Sequence, residues 1–121
     1  MIKPVLLLLF LTMNLFQFND KRKVLLFSTD KNNSLLIQQQ KIFNKDLQRM
    51  QERDLVVETY ILNERNRDIF KKYKVPDQPF LFILIGKDGG EKLRSSSPVD
   101  NQKLYSLIDQ MPMRRDEMRR Q

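Results

Sequence analysis

The sequence predicts an α/β fold in which helices flank a central mixed four-stranded sheet, in the chain order β-α-β-α-β-β-α. Two observations carry this prediction. Short apolar or β-branched runs alternate with segments of helical periodicity, which is typical of strands joined by crossover helices. The apolar run at residues 79–86 is followed by Lys-Asp-Gly-Gly and a short alternating segment, which indicates a β-hairpin. We therefore expect three parallel strands and a fourth that is antiparallel to the third.

Four segments predict the strands. KVLLFS at residues 23–28 and DLVVETYIL at 54–62 are apolar or β-branched, with charged or turn-forming residues on both sides. PFLFILIG at 79–86 is continuously apolar, so it should be a central strand that is buried on both faces. GEKLRS at 90–95 is the returning strand of the hairpin.

Apolar residues at helical spacing predict three helices. Residues 34–53 should form one helix of about five turns, because their apolar residues recur on one face. Asn63 is expected to cap a short helix that reaches Tyr73. Ser97 should cap the last helix, with Pro98 in its first turn. The apolar residues expected on the face of the first helix are Leu36, Phe43, Leu47 and Met50.

The first thirteen residues, MIKPVLLLLFLTM, contain one early lysine and an apolar run of signal-peptide length. We expect a signal peptide or short anchor over 1–13, a domain over 14–112, and a charged tail over 113–121 that is partly helical. The protein is then periplasmic or secreted, or membrane-anchored through residues 1–18. A buried N-terminal strand is the alternative, but four consecutive leucines without β-branched neighbours argue against it.

Composition excludes several kinds of chemistry. The chain has no Cys and no His, so it has no disulfide, thiol nucleophile, Ser-His-Asp triad or Cys/His zinc site. Its acids are scattered and form no calcium-loop pattern, so we expect neither a metal nor a cofactor. The net charge of +7 fits an acidic partner. Carboxylates interrupt most basic runs and no aromatic stacking platform is visible, which makes nucleic acid an unfavoured partner.

The stretch YKVPDQPFLFILIGKDGGE is similar to the second half of a thioredoxin, and Pro79 falls at the position of its cis-proline. The resemblance therefore implies a thioredoxin-like fold and a cis bond before Pro79. The paired cysteines of redox thioredoxins are replaced here by TDKNNSL, which excludes thiol-disulfide exchange. The polar side chains at residues 29–34 either line an enzymatic pocket facing Pro79 or form a plain loop with a helix cap at Asn33 or Ser34.

The segments LIGKDGGEKLRSSSPV and LYSLIDQMPMRRDEMR together resemble the signature of the domain-of-unknown-function 4174 family. These are small thioredoxin-like domains that follow signal peptides in bacteria. They are related to domains of animal extracellular matrix proteins, including coiled-coil-domain-containing protein 80 and the sushi-repeat-containing proteins. The resemblance covers about residues 16–119, although a tryptophan expected near Asn19 or Asp20 is missing. It implies a fold and a compartment outside the cytoplasm, but no reaction.

The family motif maps onto residues of the hairpin and of the C-terminal segment. We expect Gly89 and Gly90 to permit positive φ at the hairpin tip, and Asp88 to accept hydrogen bonds from the amides of its own turn. The motif residues are Gly86, Lys87, Asp88, Gly89, Gly90, Lys92, Arg94, Asp109, Met111, Pro112, Met113, Arg114, Glu117 and Met118.

Two interpretations of the motif charges remain open. Lys92 and Arg94 lie two residues apart on a strand, so they should point to the same face. Arg94 then braces the fold by pairing with Asp109 or Glu117, or the motif cations form an anion-binding patch. The three motif methionines either fix the tail to the core or form an adaptable docking surface. The cations of the predicted patch are Lys87, Lys92, Arg94 and Arg114.

We therefore expect a non-catalytic, exported, thioredoxin-like module that binds a protein or an acidic ligand through the basic surface of the hairpin and C-terminus. A carboxylate, a phosphate or a sulfated glycan would suit such a surface. The first alternative is an enzyme that uses the polar loop 29–34 beside Pro79. The second is a cytoplasmic nucleic-acid binder, which only the net charge suggests. The predicted binding residues are Lys87, Asp88, Lys92, Arg94 and Arg114.

Overall fold

A computed structural model describes residues 19–121 of the chain. The expected leader over 1–13 and the anchor over 1–18 therefore lie outside the described residues. The elements in chain order are β1 (Arg22–Ser28), α1 (Ser34–Asn44), α2 (Leu47–Glu52), β2 (Leu55–Ile61), α3 (Arg67–Lys72), β3 (Phe80–Ile85), β4 (Glu91–Ser95), α4 (Asn101–Asp109) and α5 (Pro112–Arg119).

The four strands form one mixed sheet in the order β2-β1-β3-β4. β1 and β2 are parallel, while β3 runs antiparallel to both β1 and β4. The prediction that the third strand is parallel is therefore wrong. The reason is the length of α3, whose six residues span only about 9 Å. This is too short to return along a strand of roughly 23 Å. Consequently β3 starts beside Ser28, at the end of the sheet where β2 stops.

The sheet buries both of its faces, and β3 is buried throughout, as its continuous apolar sequence predicts. Val24, Leu26 and Phe82 face a core that α1, α2 and α4 cover. Leu25 and Phe27 face a second core under α3, against which Ile69, Phe70 and Tyr73 pack.

The helix expected over residues 34–53 is two helices, because the chain breaks at Lys45 and Asp46. Asp46 has an extended φ of −149° and stands at the start of α2. The break re-aims α2, so that Met50 is buried while Leu47, expected on the core face, is 60% exposed. Apolar periodicity does not reveal a break of this kind, since the helical spacing of the apolar residues continues on both sides of it.

Two other helix starts differ from the predictions. Asn63 caps the turn that precedes α3, through its Oδ1 and the N–H of Asn66, and does not cap the helix itself. α4 is capped by Asp100, whose Oδ1 accepts a hydrogen bond from Lys103 N, and not by Ser97. The buried Gln39 side chain explains this later start. It bonds both the N–H and the C=O of Val99, which prevents that residue from entering the helix.

Two further findings concern the prolines. No peptide bond of the described residues is cis, so the cis bond that the resemblance implies before Pro79 is not present. Pro112 follows the end of α4 and also opens α5 at its first turn, where its missing N–H costs nothing. The C-terminal segment is helical, as expected, and packs against the domain through Arg114, which is 4% exposed. The structural unit therefore extends past residue 112.

Candidate functional site

The hairpin tip and α5 meet at the end of the sheet where β1 and β2 begin. Lys87, just after β3, places its Nζ 2.8 Å from Asp54 Oδ2 and 2.7 Å from Glu117 Oε2. Asp54 has a φ of +50°, a left-handed conformation that Asp tolerates, where the chain turns from α2 into β2. One lysine thereby ties the hairpin to both the sheet end and the C-terminal helix.

Glu117 is the centre of this arrangement. Arg22 donates from Nη1 to Glu117 Oε1 and from Nη2 to Oε2, both at 3.1 Å, which is a bidentate pair. Arg22 Nη1 also donates to the carbonyl of Arg53 at 2.8 Å. Because Arg22 is only 1% exposed, its charge depends on Glu117 for compensation.

A second carboxylate, Asp109, extends the network. It accepts from Arg53 Nη2 at 2.9 Å and from Arg114 Nε at 3.1 Å. Arg114 Nη1 lies 3.9 Å from Glu117 Oε1 and so joins the two halves. We call these residues the charge network: Lys21, Arg22, Arg53, Asp54, Lys87, Asp109, Arg114 and Glu117.

The ionisation of these groups reflects their pairing. Burial acts to raise the pKa of Glu117 and of Asp109, but hydrogen bonds from arginine or lysine outweigh it and lower both pKa values. The hydrogen bond from Lys87 lowers the pKa of Asp54. Burial acts to lower the pKa of Lys87, but its two carboxylate partners raise it. All four groups are therefore held in their charged forms at neutral pH.

These shifts predict acid lability. The carboxylates stabilise the fold fully above their ordinary pKa values of 3.8 (Asp) and 4.5 (Glu). That contribution is lost as the pH falls through their lower folded values. We expect the urea midpoint to change little between about pH 5 and 8 and to drop below about pH 4.5. The Glu117→Gln variant should lose less stability over the acid range. An equal loss in both proteins would contradict the role given to Glu117.

The charge network is not electrically balanced. It contains five cations and three carboxylates, so it carries an excess of positive charge at this end of the sheet. Two of its cations, Arg22 and Arg114, are almost fully buried, and each has a carboxylate partner. Buried positive charge attracts an anion more strongly than the same charge in water.

A small cavity of about 60 Å³ opens beside the charge network. Arg22 lines it, and the Nε of Arg22 is buried with no hydrogen-bond partner among the described residues. Lys87 and Lys92 contribute further donors. Each ammonium carries three N–H groups, of which Lys87 uses two and Lys92 one in hydrogen bonds to carboxylates. The cavity is lined by Arg22, Gly86, Lys87, Asp88, Lys92, Met111, Pro112 and Met113.

The hairpin tip shapes this cavity. Gly89 has a φ of +83°, as expected, whereas Gly90 does not have a positive φ. Asp88 Oδ1 accepts from Gly90 N at 2.9 Å, which confirms the predicted turn bond. A Cβ on Gly86 would lie 2.7 Å from Lys92 Cε. The bare backbone at Gly86 therefore lets the Lys92 side chain fold over the turn, where its Nζ lies 2.7 Å from Asp88 Oδ2.

Lys92 and Arg94 do not share a face, contrary to the prediction. A β-bulge in the β3–β4 pairing inserts one residue between the partners of Leu84 and Ile85, which re-aims Lys92. Lys92 lines the cavity, whereas Arg94 bonds Glu91 at 2.8 Å and the carbonyl of Tyr73 at 2.6 Å. The predicted pairing of Arg94 with Asp109 or Glu117 is therefore wrong, and Arg94 lies outside the cavity.

The three motif methionines do not form one surface. Met111 packs against the first core, whereas Met113 is 41% exposed and lines the cavity. Met118 is 37% exposed and lies with Arg115 and Arg119 in a separate shallow depression. Thus Met111 fixes the start of α5, as one interpretation expected, and Met113 borders the candidate site.

Sequence reasoning missed Lys21, Arg22, Arg53 and Asp54, which contribute to the charge network from outside the motif. Arg22 carried a usable signal, because it shares the alternation of Val24 and Leu26 on the first strand. A cation on the core face of a strand requires a buried carboxylate partner. No comparable signal marks Arg53 and Asp54, since they meet the network only through the turn between α2 and β2, and Lys21 joins it only through Asp54.

The polar loop 29–34 lies at the opposite end of the sheet and serves local structure. Asn33 Oδ1 accepts from the N–H groups of Leu35 and Leu36 and so caps α1. Asp30 Oδ1 accepts from Asn32 N. A depression of about 260 Å³ beside the loop includes Thr29 but not Asp30, Asn32 or Pro79. It does not join the residues that the enzymatic alternative requires.

Comparison with known sequences places these residues in a family. The sequence matches the family described as "Domain of unknown function (DUF4174)" over residues 14–117. The chain belongs to this family. The DUF4174 match includes the hairpin and most of α5, and therefore every motif residue of the charge network. No curated protein matches the sequence.

One solved structure supports the fold of this DUF4174 domain. It is described as "Structure of a malarial protein" and is 23% identical, with a TM-score of 0.58. The similarity covers 74% of this chain and 96% of that one, and at this identity it shows the fold alone. Within residues 19–121, no group of acidic side chains has the arrangement of a metal site. In the same range, no helix is long and apolar enough to cross a bilayer.

Proposed function

We propose that this DUF4174 domain is a non-catalytic binding module that accepts an oxyanion of a partner, above all a carboxylate, in the cavity beside the charge network. The observation that carries the proposal is the Nε–H of Arg22. This donor is buried and unpartnered, and its side chain lines the cavity. Leaving such a donor unsatisfied is costly. An acceptor that enters the cavity and displaces the atoms now covering this N–H would remove that cost.

The size and lining of the cavity favour a head group over a whole small molecule. A volume of about 60 Å³ accommodates one carboxylate or comparable oxyanion. Met111, Pro112 and Met113 provide an apolar border against which the aliphatic part of an acidic side chain would pack. An acidic residue that protrudes from a partner protein has both of these features.

The proposal includes a thioredoxin-like fold and export. The order of the elements and the antiparallel placement of β3 and β4 beside a parallel pair support the fold. The apolar run near the N-terminus and the resemblance to domains that follow signal peptides support export. Export would also make nucleic acid an inaccessible partner, since it removes the protein from the cytoplasm.

Isothermal titration of the full chain with acetate, phosphate and sulfate tests the site, with chloride as the control for ionic strength. Lys92→Gln should weaken binding roughly fivefold to tenfold, because it removes one charge-assisted donor. Arg94→Gln is the matched control. Both side chains are 32% exposed and each has one carboxylate partner, but only Lys92 lines the cavity.

The outcomes separate the hypotheses. Saturable binding of an oxyanion that Lys92→Gln weakens and Arg94→Gln does not would support the proposed site. Equal effects of the two variants, or responses to chloride that match those to acetate, would show general charge screening and refute it. Binding that is confined to long sulfated or nucleic-acid polymers would instead favour an extended basic surface.

A further inference from the structure

β2 lies at the edge of the sheet, and its hydrogen bonds show which backbone groups face outward. Arg22 N donates to Asp54 O, and Leu62 N donates to Ser28 O, both at 2.8 Å. In a parallel pair, alternate residues of a strand direct both backbone groups to the same neighbour. The even-numbered residues 54–62 therefore face β1, and the odd-numbered residues face away from the sheet.

One end of this outer edge is already closed. The carbonyl of Ile61 accepts a hydrogen bond from Asn66 Nδ2 at 2.8 Å. Leu55, Val57 and Thr59 direct their N–H and C=O groups outward and have no backbone partner within residues 19–121. The open edge is thus a short segment centred on Val57.

The two edges of the sheet are protected differently. β4 has five residues, a bulge and three charged side chains, which are common devices against edge-to-edge pairing. β2 has seven residues without a bulge or proline, and its only charged side chain is Glu58, which Lys23 pairs at 3.3 Å. An edge of this kind is a template for another strand.

Apolar surface adjoins the open edge. Leu47 on α2 is 60% exposed and Val56 is 38% exposed. Two depressions, each of about 340 Å³, share Leu47, Met50 and Val57 as lining residues. A strand added to β2 would place alternate side chains on this surface.

We propose that two copies of this chain pair through β2, antiparallel about a two-fold axis at Val57, to give a continuous eight-stranded sheet. In this register Val57 meets its own copy, and Leu55 meets Thr59 of the second copy. These three pairs each exchange two backbone bonds and use only the open groups. A register one residue farther along would set Glu58 against Glu58 and would need the carbonyl that Asn66 already occupies.

The charges along β2 are compatible with a second copy as the occupant, because the proposed register sets no like charges directly opposite each other. In the proposed register, Glu58 of one copy lies opposite Val56 of the other. Val56 is itself the cross-strand neighbour of Lys23. Each Glu58 therefore faces a neutral side chain of the other copy, beyond which lies Lys23, which already pairs with Glu58 of its own copy. Leu47 of both copies lies on the same face as the Val57 pair and would share one apolar surface.

Sedimentation equilibrium of the full chain tests the pairing, with Val56→Lys and Val56→Glu as matched variants. Val56→Lys should tighten the dimer roughly fivefold, because two symmetry-related lysines then face Glu58, and Val56→Glu should weaken it by a similar factor. Within one copy the signs are opposite, because Lys23 repels the new lysine and attracts the new glutamate. Urea unfolding of the variants would therefore show whether a change in dimer affinity results only from a change in the stability of the single copy.

A variant that removes one outward donor completes the test. Val57→Pro deletes an N–H that takes no part in the ladder with β1, so the chain should fold and remain a monomer. A parent that is monomeric at every concentration would overturn the proposal, with residues 1–18 or another protein's strand left as the occupant of this edge. A dimer that is insensitive to the charge at residue 56, or that survives Val57→Pro, would also overturn it.

Discussion

Replacing Glu117 with Gln is expected to destabilise the domain by about 2–4 kcal/mol, since it removes one partner from a largely buried ion-pair cluster. The variant leaves Arg22, which is 1% exposed, facing a neutral amide. It also deprives Lys87 of one of its two carboxylates. The effect combines a lost bidentate pair with the cost of a buried and uncompensated guanidinium.

Equilibrium urea unfolding measures this effect, and Asp116→Asn is its matched control. Asp116 is the neighbouring residue on α5, and its one ion-pair partner within residues 19–121 is Arg119, whose side chain is 75% exposed. An exposed pair of this kind contributes little, so the control should stay within about 0.5 kcal/mol of the parent. Equal unfolding free energies for the two variants would show that the charge network does not hold α5 to the sheet.

Replacing Gln39 with Leu is expected to cost about 2–4 kcal/mol although the two side chains have similar volumes. Gln39 is fully buried, and its amide donates to Val99 O at 2.9 Å and accepts from Val99 N at 2.7 Å. Leucine would leave both backbone groups of Val99 buried without partners. The segment that leads into α4 would then lose its attachment to α1.

Thermal and urea unfolding measure the loss, and Gln38→Leu is the control. Gln38 is the preceding residue on α1 and is exposed, so its replacement should change stability only slightly. Hydrogen exchange should also show earlier opening at Val99 and the first turn of α4 in the Gln39 variant. A Gln39→Leu protein as stable as the parent would mean that this buried pair contributes nothing net.

Local sequence patterns were sufficient for the strands and the hairpin. The continuous apolar run of β3 and the Lys-Asp-Gly-Gly turn are short-range signals, and both are confirmed. The direction of β3 was predicted wrongly, because it depends on whether a two-turn α3 can return along the sheet. A helix between two strands does not by itself make them parallel. The helix must also be long enough to carry the chain back along the sheet.

In the candidate site, too, the local motif was visible in the sequence but the three-dimensional contacts were not. The motif pointed to the hairpin and α5, but the partners of its charges come from the ends of β1 and α2. Arg94 illustrates why their roles could not be assigned, because Lys92 is the extra residue of a β-bulge and does not keep a regular alternation with Arg94. Alternation along a strand predicts faces only where the ladder is regular.

The motif residues therefore fall into two groups with different roles, which the sequence alone does not separate. Lys87, Asp109, Arg114 and Glu117 satisfy one another and neighbouring residues, and they fix α5 to the sheet. Lys92 and Met113 border an open cavity that Arg22 also lines, and the buried Nε–H of Arg22 has no acceptor among the described residues. The first part accounts for stability, and the second is the basis of the proposed binding.

The Nε–H of Arg22 gives the most direct test of the central claim, through its cross-peak in a ¹H–¹⁵N spectrum of the labelled full chain. Titration with acetate should move this peak along a saturable curve, with a weaker response in Lys92→Gln and an unchanged one in Arg94→Gln. The same concentration of chloride should move it less. A peak that stays in place with acetate, or follows ionic strength alone, would contradict an oxyanion site beside the charge network.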